Sequence, residues 1–346
     1  MSPTTERGTI AIGFVHEALE EVRRRGHDTA ALLEQAGISP ELLGLRQARI
    51  SAGNYGKLWH LTAQAMDDEF FGMDSHRMKV GSFTLLCHTV IHCKNLEHAL
   101  TRALRFMRVV LDDMEGELIR EGGLARIVVS DRQASNEVRD KPLPGRAFAY
   151  GTFLLILHGL ACWLVGRRIP LQSADFRCAE PGYSEEWRVL FSPTLRFDQP
   201  DTRIVFSAEF LEMGIVQNER TVKEFLRVAP TNFLVKYKNS ASLTAQIRRR
   251  LRLVQPAEWP DFADLARQFN ISQSTLRRRI DAEGQSYRNI LDDLRLDLAV
   301  SLLSHSDRTI ADIANELGFA EASTFHRAFK KWTGARPSEY RTGKDE

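Results

Sequence analysis

The sequence has few cysteines and lacks the short motifs that mark common enzyme active sites. No pair of its cysteines has the C-x-x-C spacing of zinc-binding or redox sites. Neither the G-x-S-x-G motif of hydrolases nor the G-x-x-x-x-G-K-[ST] loop of nucleotide-binding proteins occurs. We therefore predict no disulfide framework, no catalytic residue, no metal and no cofactor. The four cysteines are Cys87, Cys93, Cys162 and Cys178.

One cluster of cysteine and histidine nevertheless has metal-ligand spacing. His88 and His92 stand one helical turn apart between two of the cysteines. The mostly apolar residues 84–91, followed by Asn95 as the cap of a new helix from Leu96, explain the cluster as the end of a buried helix. We expect this structural role, with a metal site as the alternative.

The sequence also lacks an apolar run long enough to cross a membrane. The longest, residues 153–165, is interrupted by His158 and Gly159, whereas a membrane span needs about twenty apolar residues. The N-terminal stretch Ile10 to Val15 is too short for the core of a signal peptide. We predict a buried helix at residues 153–165 and a cytoplasmic protein that does not associate with a membrane.

Neither sign of charge dominates. The chain has 47 Lys+Arg against 45 Asp+Glu. From residue 241 onward we count 17 against 15, which leaves 30 against 30 before it (47 − 17 and 45 − 15). Overall basicity therefore indicates no partner, and any case for a nucleic-acid partner depends on where the basic residues lie.

The last hundred residues contain a helix-turn-helix pattern, seen most clearly in its second copy. Thr309 can cap a helix whose apolar residues at 310–317 have helical spacing, and Gly318 supplies the left-handed residue of a sharp turn. The next helix buries Phe325, Phe329 and Trp332. Its outward residues are Ser323, His326, Arg327, Lys330 and Lys331.

The first copy repeats this pattern some fifty residues earlier. Asn270 stands at the turn, because asparagine tolerates the left-handed conformation next best after glycine. Ser272 caps the second helix. The buried residues are Phe262, Leu265, Ala266, Phe269, Leu276 and Ile280. The outward residues are Gln273, Ser274, Arg277, Arg278 and Arg279.

Two such copies predict DNA binding in two successive major grooves. Arginine reads guanine edges, whereas serine and lysine mainly contact phosphates. Arg278 and Arg327 are therefore the candidate base readers. Arg279 is a candidate phosphate or solvent contact, and Lys330 is a candidate DNA contact. Residues 287–305 form a helical pattern of about 28 Å at 1.5 Å per residue, which suits motifs about 34 Å apart. The less specific interpretation is two amphipathic helix pairs with solvated arginines.

The spacing of many residues resembles the AraC/XylS family of bacterial transcriptional regulators over about residues 241–341. The matching motifs are Arg295-Leu296-x-x-Ala299-x-x-Leu302-Leu303, Ile310-Ala311-x-Ile313-Ala314-x-x-x-Gly318-Phe319 and Ser323-x-Phe325-x-Arg327-x-Phe329-Lys330-x-x-x-Gly334-x-x-Pro337-x-x-Tyr340-Arg341. The resemblance implies recognition helices in adjacent major grooves. It implies base-facing positions at Ser274, Arg277, Arg278, Ala322, Ser323, His326 and Arg327. Asn270 replaces the family's usual glycine, and Ala322 is small where many relatives carry a longer polar residue.

The residues before the helix-turn-helix copies predict an α+β domain. It is followed by an all-α domain with two helix-turn-helix motifs joined by a long helix. We place the first domain at 1–230, a polar linker at 231–240 and the DNA-binding domain at 241–346. The predicted helices cover 14–24, 32–36, 50–66, 96–111 and 146–167. The predicted strands are a hairpin at 116–129 around Gly122-Gly123 and segments 174–178, 195–198 and 203–207.

This front domain resembles the arabinose-binding-type N-terminal domain of an AraC subgroup that includes regulators of ornithine use. The matching positions are Leu32-Leu33-x-x-Ala36-Gly37-Ile38, Ile50, Trp59, Gly81-x-x-x-Leu85, Leu96-x-x-Ala99-Leu100 and Arg105-Phe106. The resemblance implies effector sensing and dimerisation, with no effector-binding residue assigned. We expect the effector pocket to lie between residues 85–111 and the helix at 153–165.

The predicted function is a ligand-responsive activator of transcription that works as a homodimer with promoter DNA, RNA polymerase and a small-molecule effector. One alternative is a DNA-modifying or repair enzyme fused to this DNA-binding part, against which the cysteine spacing argues. The other is a non-specific architectural DNA-binding protein. Repeated arginines suited to base edges, beside a separate front domain, favour specific regulation.

Overall fold

The computed structural model describes residues 9–45, 48–132, 146–192, 194–231, 243–282, 285–333 and 336–341. The chain divides into two compact units. The first contains residues 1–12, 33–54 and 238–346, and the second contains residues 13–32 and 55–237. Residues 33–54 thus belong to the unit that holds the helix-turn-helix copies. The boundaries expected from the sequence stay a prediction, and most of the predicted linker, residues 232–240, lies outside the described residues.

Up to residue 231 the chain alternates helices with short strands. The helices are α1 Ile12–Arg24, α2 Thr29–Ala36, α3 Ala52–Met66, α4 Ser82–Val90, α5 Leu96–Val110, α6 Arg146–Leu164, α7 Ser184–Leu190 and α8 Glu219–Val228. The strands are β1 Thr9–Ala11, β2 Arg49–Ser51, β3 Met114–Glu121, β4 Leu124–Asp131, β5 Leu171–Asp175, β6 Leu195–Arg196 and β7 Thr202–Ser207.

The second unit is built around a five-stranded sheet and the buried helix α6. The strand order is β3-β4-β7-β5-β6, in which β5 and β6 are parallel and the other neighbours antiparallel. The predicted hairpin is confirmed, with Gly122 and Gly123 both at positive φ between β3 and β4. Helix α6 is long and apolar enough to span a membrane, but 94% of its most apolar window is buried within the protein. The predicted buried helix is therefore confirmed.

Several predicted boundaries were wrong for identifiable reasons. The helix predicted from Ile50 begins at Ala52, because Arg49–Ser51 pairs with β1 as an antiparallel strand. The strand predicted at 174–178 is Leu171–Asp175, and the helix predicted to end at Arg167 ends at Leu164. Strands this short contain too few residues to show a clear alternation of buried and exposed positions. Helices α7 and α8 were not predicted, although the buried Val222 and Phe225 of α8 have helical spacing and Asn218 caps the helix.

The first unit contains the C-terminal helices. They are α9 Leu243–Leu251, α10 Phe262–Gln268, α11 Gln273–Ala282, α12 Tyr287–His305, α13 Ile310–Glu316, α14 Ala322–Thr333 and α15 Pro337–Arg341. The predicted connecting helix is confirmed to the residue as α12. Leu298 is 41% exposed, although it continues the apolar spacing of the buried Ile290 and Leu294 along the helix. The apolar stripe of α12 is therefore wider than the surface that the neighbouring helices bury.

A short N-terminal segment also packs within this unit. Strand β2 contacts α12 and α14, and the 3₁₀ turn Pro40–Gly44 contacts α15. The hydroxyl of Tyr340 donates a hydrogen bond to the main-chain carbonyl of Arg49, at a buried position. The Arg49 guanidinium in turn donates to the Thr9 hydroxyl and carbonyl at 2.9 and 2.8 Å. The strand pair β1–β2 is thus tied to the last helix of the chain.

Candidate DNA-binding site

The second helix-turn-helix copy is fixed by a reciprocal cap and a glycine turn. The Thr309 hydroxyl accepts from the Asp312 amide at 3.1 Å, and the Asp312 carboxylate accepts from the Thr309 amide at 3.2 Å. A further hydrogen bond from the Thr309 hydroxyl lowers the pKa of Asp312. Gly318 then adopts φ 76°. The predicted cap and turn are both confirmed, and they hold α13 at a set angle to α14.

Helix α14 is anchored by aromatic residues on one side. Phe325 and Phe329 are fully buried, and their ring centroids lie 5.5 Å apart. Trp332 is only partly buried. Because this face holds the helix against α13, the opposite face is free to meet a groove. Ser323, Arg327 and Lys330 are exposed there, whereas His326 is half-buried.

Two of these residues have neighbours that bear on DNA contact. The His326 ring meets Phe325 edge-on, with ring centroids 6.3 Å apart. The Ser323 hydroxyl donates to the Glu321 carboxylate at 3.0 Å. A carboxylate at this place would repel phosphate, which argues against the prediction that Ser323 contacts DNA more than against the prediction for Lys330.

The first copy has the same arrangement with different residues. Asp261 caps α10 by accepting from the Asp264 amide at 2.7 Å, a cap that the sequence pattern had not revealed. Asn270 takes the turn at φ 52°, and the Ser272 hydroxyl accepts from the Thr275 amide at 3.2 Å at the start of α11. The predicted turn and cap are therefore confirmed.

Helix α11 exposes a more strongly basic face than α14. Leu276 and Ile280 are buried, which leaves the predicted contacts outside. Ser274, Arg277, Arg278 and Arg279 are all exposed. The guanidinium carbon of Arg277 lies 5.5 Å from the centroid of the Phe262 ring, within cation–π range, and so Arg277 is held towards α10. In the described part of the chain Arg278 and Arg279 have no such anchor.

A further basic segment at the end of α9 was missed from the sequence. Arg250 and Arg252 are exposed, and Arg250 lies 5.8 Å from the centroid of Phe269. Arg248 is buried instead and donates to Asp293 of α12 at 2.5 Å. The run of arginines at 248–252 could have indicated this basic segment. One of them, Arg248, joins α9 to α12, and the exposed ones add positive charge near the first copy.

The histidine and cysteine cluster forms no metal centre in the described residues. His88 Nδ1 and His92 Nε2 lie 3.1 and 3.5 Å from the two carboxylate oxygens of Glu219. No group of three ligating side chains suited to a metal ion occurs in the ranges that the structure describes. All four cysteines are buried, and burial raises the pKa of each thiol, that of Cys162 to about 12. At neutral pH they are uncharged packing residues.

Known protein families match both parts of the chain. The arabinose-binding N-terminal domain of AraC transcription regulators matches residues 26–215, more than half of the chain. A helix-turn-helix domain matches residues 265–343, which include α11 and α14. The first match covers most of the α+β part, and it also includes residues 33–54, which belong to the unit that holds the helix-turn-helix copies.

Similar proteins of full length are transcriptional regulators. The ornithine utilization regulator of Pseudomonas aeruginosa is 27% identical over 334 residues, 96% of each chain. A helix-turn-helix regulator of Mycobacterium tuberculosis, itself uncharacterised, is 26% identical over 334 residues, 93% of each chain. The crystal structure of the transcriptional regulator CdpR from Pseudomonas aeruginosa covers 95% of this chain and 97% of its own, at 19% identity. Its TM-score of 0.31 is too low to support a structural argument.

These matches agree with the geometry of the two copies. Each copy pairs a capped helix with a second helix whose buried face is anchored and whose basic face is exposed. The family match covers the front part, and regulators of the same type match over nearly the whole length. The chain therefore belongs to the AraC family of transcription regulators and is a DNA-binding regulator of transcription.

Proposed function

We propose that α11 and α14 enter adjacent major grooves of promoter DNA. The observation that carries this proposal is the repeated placement of exposed basic side chains opposite a buried, anchored face. In the proposed complex Arg278 and Arg327 read guanine edges, and Arg279 and Lys330 contact phosphates. The other base-facing or nearby polar positions are Ser274, Arg277, Ser323 and His326.

The front domain is proposed to bind a small-molecule effector and to hold two copies of the chain together. AraC-family matches over residues 26–215 and the name of the ornithine utilization regulator support a metabolite as effector. Helices α5 and α6 pack against each other, and they frame the proposed pocket. An effector that binds one arrangement of the dimer more tightly shifts the population that holds DNA.

The dimer is proposed to activate transcription in the cytoplasm by contacting RNA polymerase. The relatives CfaD and AggR of Escherichia coli, each 27% identical over 142 residues, are named transcriptional activators, which supports this direction of control. No enzymatic activity is proposed, since the family and the relatives are transcription regulators.

Selection of duplexes from a random-sequence pool by the full-length protein tests the DNA-binding proposal. We expect a consensus with two conserved blocks whose centres lie one helical turn, about 10 base pairs, apart. Methylation interference is expected to place the contacted guanines of both blocks on one face of the duplex. Equal binding of selected and random duplexes would instead assign an architectural role.

A further inference from the structure

Arg295 of α12 lies between an aromatic ring of each helix-turn-helix copy. Its guanidinium carbon is 5.3 Å from the centroid of Trp259, which precedes α10, and 5.4 Å from the centroid of Phe319, in the turn before α14. Both distances are within the range of cation–π attraction, which a planar guanidinium can make on its two faces. A single side chain therefore contacts both copies.

Each of the two rings is anchored in its own copy. The indole nitrogen of Trp259 donates to the carbonyls of Leu251 and Val254, at 2.9 and 3.2 Å, at the end of α9. The Phe319 ring packs against Phe325 and Trp332, with centroid separations of 5.5 and 6.0 Å. Because each ring is fixed within its own copy, a side chain that contacts both rings also restrains the position of both copies.

The backbones of the two copies also meet at this point. Arg295 Nε donates to the carbonyl of Leu317, the residue that ends α13, at 3.0 Å. The next residue is Gly318, where a Cβ atom would come within 3.2 Å of the Pro256 carbonyl oxygen. The 3₁₀ turn Pro256–Glu258, which leads into the first copy, thus packs directly on the turn of the second.

The chemistry of this site suits arginine and not lysine. Partial burial lowers the pKa of Arg295, and the nearby Asp292 carboxylate opposes that effect. A guanidinium stays charged at neutral pH, is weakly hydrated and stacks through flat faces, whereas an ammonium is strongly hydrated and has no flat face. Arginine can therefore make the hydrogen bond and both ring contacts together.

We propose that Arg295 is a positioning residue that fixes the two helix-turn-helix copies relative to each other and so sets which spacing of the two DNA blocks the protein accepts. The proposal rests on the proposed binding of both recognition helices to DNA. Helix α12 joins the copies covalently, but a helix connected through short turns still allows the copies to rotate. The contacts of Arg295 limit that rotation.

The test compares one selected duplex with a second in which two base pairs are inserted between its blocks. The insertion rotates one block by roughly 70°, given about 10.5 base pairs per turn. Full-length protein is titrated with both duplexes and with a duplex that retains a single block. The variants are Arg295→Met, Arg295→Lys and, as the matched control, Arg288→Met, which removes an exposed charge from the same helix.

We expect wild-type protein and Arg288→Met to prefer the original spacing by more than about 30-fold. Arg295→Met should reduce that preference at least fivefold, and Arg295→Lys should reduce it partly, while single-block affinity stays within twofold. Full retention of the spacing preference in folded Arg295→Met, or in Arg295→Lys if the methionine variant unfolds, overturns the proposal. Unfolding of both variants also overturns it, since Arg295 would then maintain the fold itself. A wild-type protein indifferent to spacing would instead refute binding in two grooves.

Discussion

The turn of the first helix-turn-helix copy uses Asn270 at φ 52°, and the turn of the second uses Gly318 at φ 76°. Both residues occupy the left-handed region, where a side chain is disfavoured. At Gly318 a second constraint is present, because the Pro256 carbonyl leaves little room for a Cβ atom. Asn270 and Gly318 are both exposed to solvent, so this crowding, and not burial, distinguishes the two turns. The family's usual glycine is replaced by asparagine at the first turn, whereas at the second turn a side chain would crowd Pro256.

The recognition helices differ in a corresponding way. Helix α11 carries three exposed arginines in succession, whereas α14 carries Arg327 with Lys330 and Lys331, and begins beside Glu321. The second helix is held by more aromatic contacts than the first. The first recognition helix therefore exposes more arginine side chains, whereas the second is held in place by more ring contacts.

The largest expected effect is loss of base recognition in either copy. Arg278→Ala and Arg327→Ala should each cost about 1–3 kcal/mol of specific affinity, since a bidentate arginine–guanine contact is worth that much. Titration of the selected duplex and of random duplex measures the difference. Unchanged specificity in Arg327→Ala, with loss in Arg278→Ala, would make the first copy the only base reader.

Next in size is the difference between the two turns. Gly318→Ala should destabilise the DNA-binding part by about 1–2 kcal/mol, because it adds a side chain to a left-handed residue and crowds Pro256. Asn270→Gly should change stability by no more than about 0.5 kcal/mol, because the turn already has the glycine-type conformation. Urea denaturation followed by tryptophan fluorescence compares them. Equal effects would remove the packing argument for glycine at 318.

Loss of the two helix caps is expected to have a smaller effect. Thr309→Ala and Asp261→Ala should each cost about 1 kcal/mol of stability. The threonine variant should cost more, because it removes both the acceptor of the Asp312 amide and the hydrogen bond that the hydroxyl donates to the Asp312 carboxylate, whereas Asp261 accepts from one amide. The same denaturation experiment, with Thr324→Ala as an exposed control, ranks them. A larger loss from Asp261→Ala would reverse this order.

The smallest effect is expected at Arg279. Because it is assigned to phosphate, Arg279→Ala should weaken selected and random duplexes alike and lower the slope of log affinity against log salt by roughly one unit. Binding measured at four salt concentrations gives the slope. Loss of sequence preference in this variant, with none in Arg278→Ala, would exchange the two assignments.

Residue preferences at helix caps and turns, together with apolar spacing, predicted the local features of the DNA-binding unit. The cap at Thr309, the turn at Asn270 and the limits of α12 follow from residue preferences within a few positions. Arg295 was visible only as part of a family motif, because its partners lie 36 residues before it and 24 after it along the chain (295 − 259 and 319 − 295). The same limit applies to β2, because the Arg49 carbonyl accepts its hydrogen bond from Tyr340, 291 residues away along the chain.

The hydrogen bond from Tyr340 to Arg49 has a consequence for building chimeric regulators. Joining the C-terminal part of this chain to a foreign sensor at residues 231–240 would leave behind the strand that contacts α12 and α14. The buried Tyr340 hydroxyl would lose its acceptor, and the apolar surface beneath β2 would meet water. A transplantable unit must therefore bring residues 33–54 together with β1. Because residues 13–32 belong to the other unit, exchange of the sensor then requires four junctions in the chain.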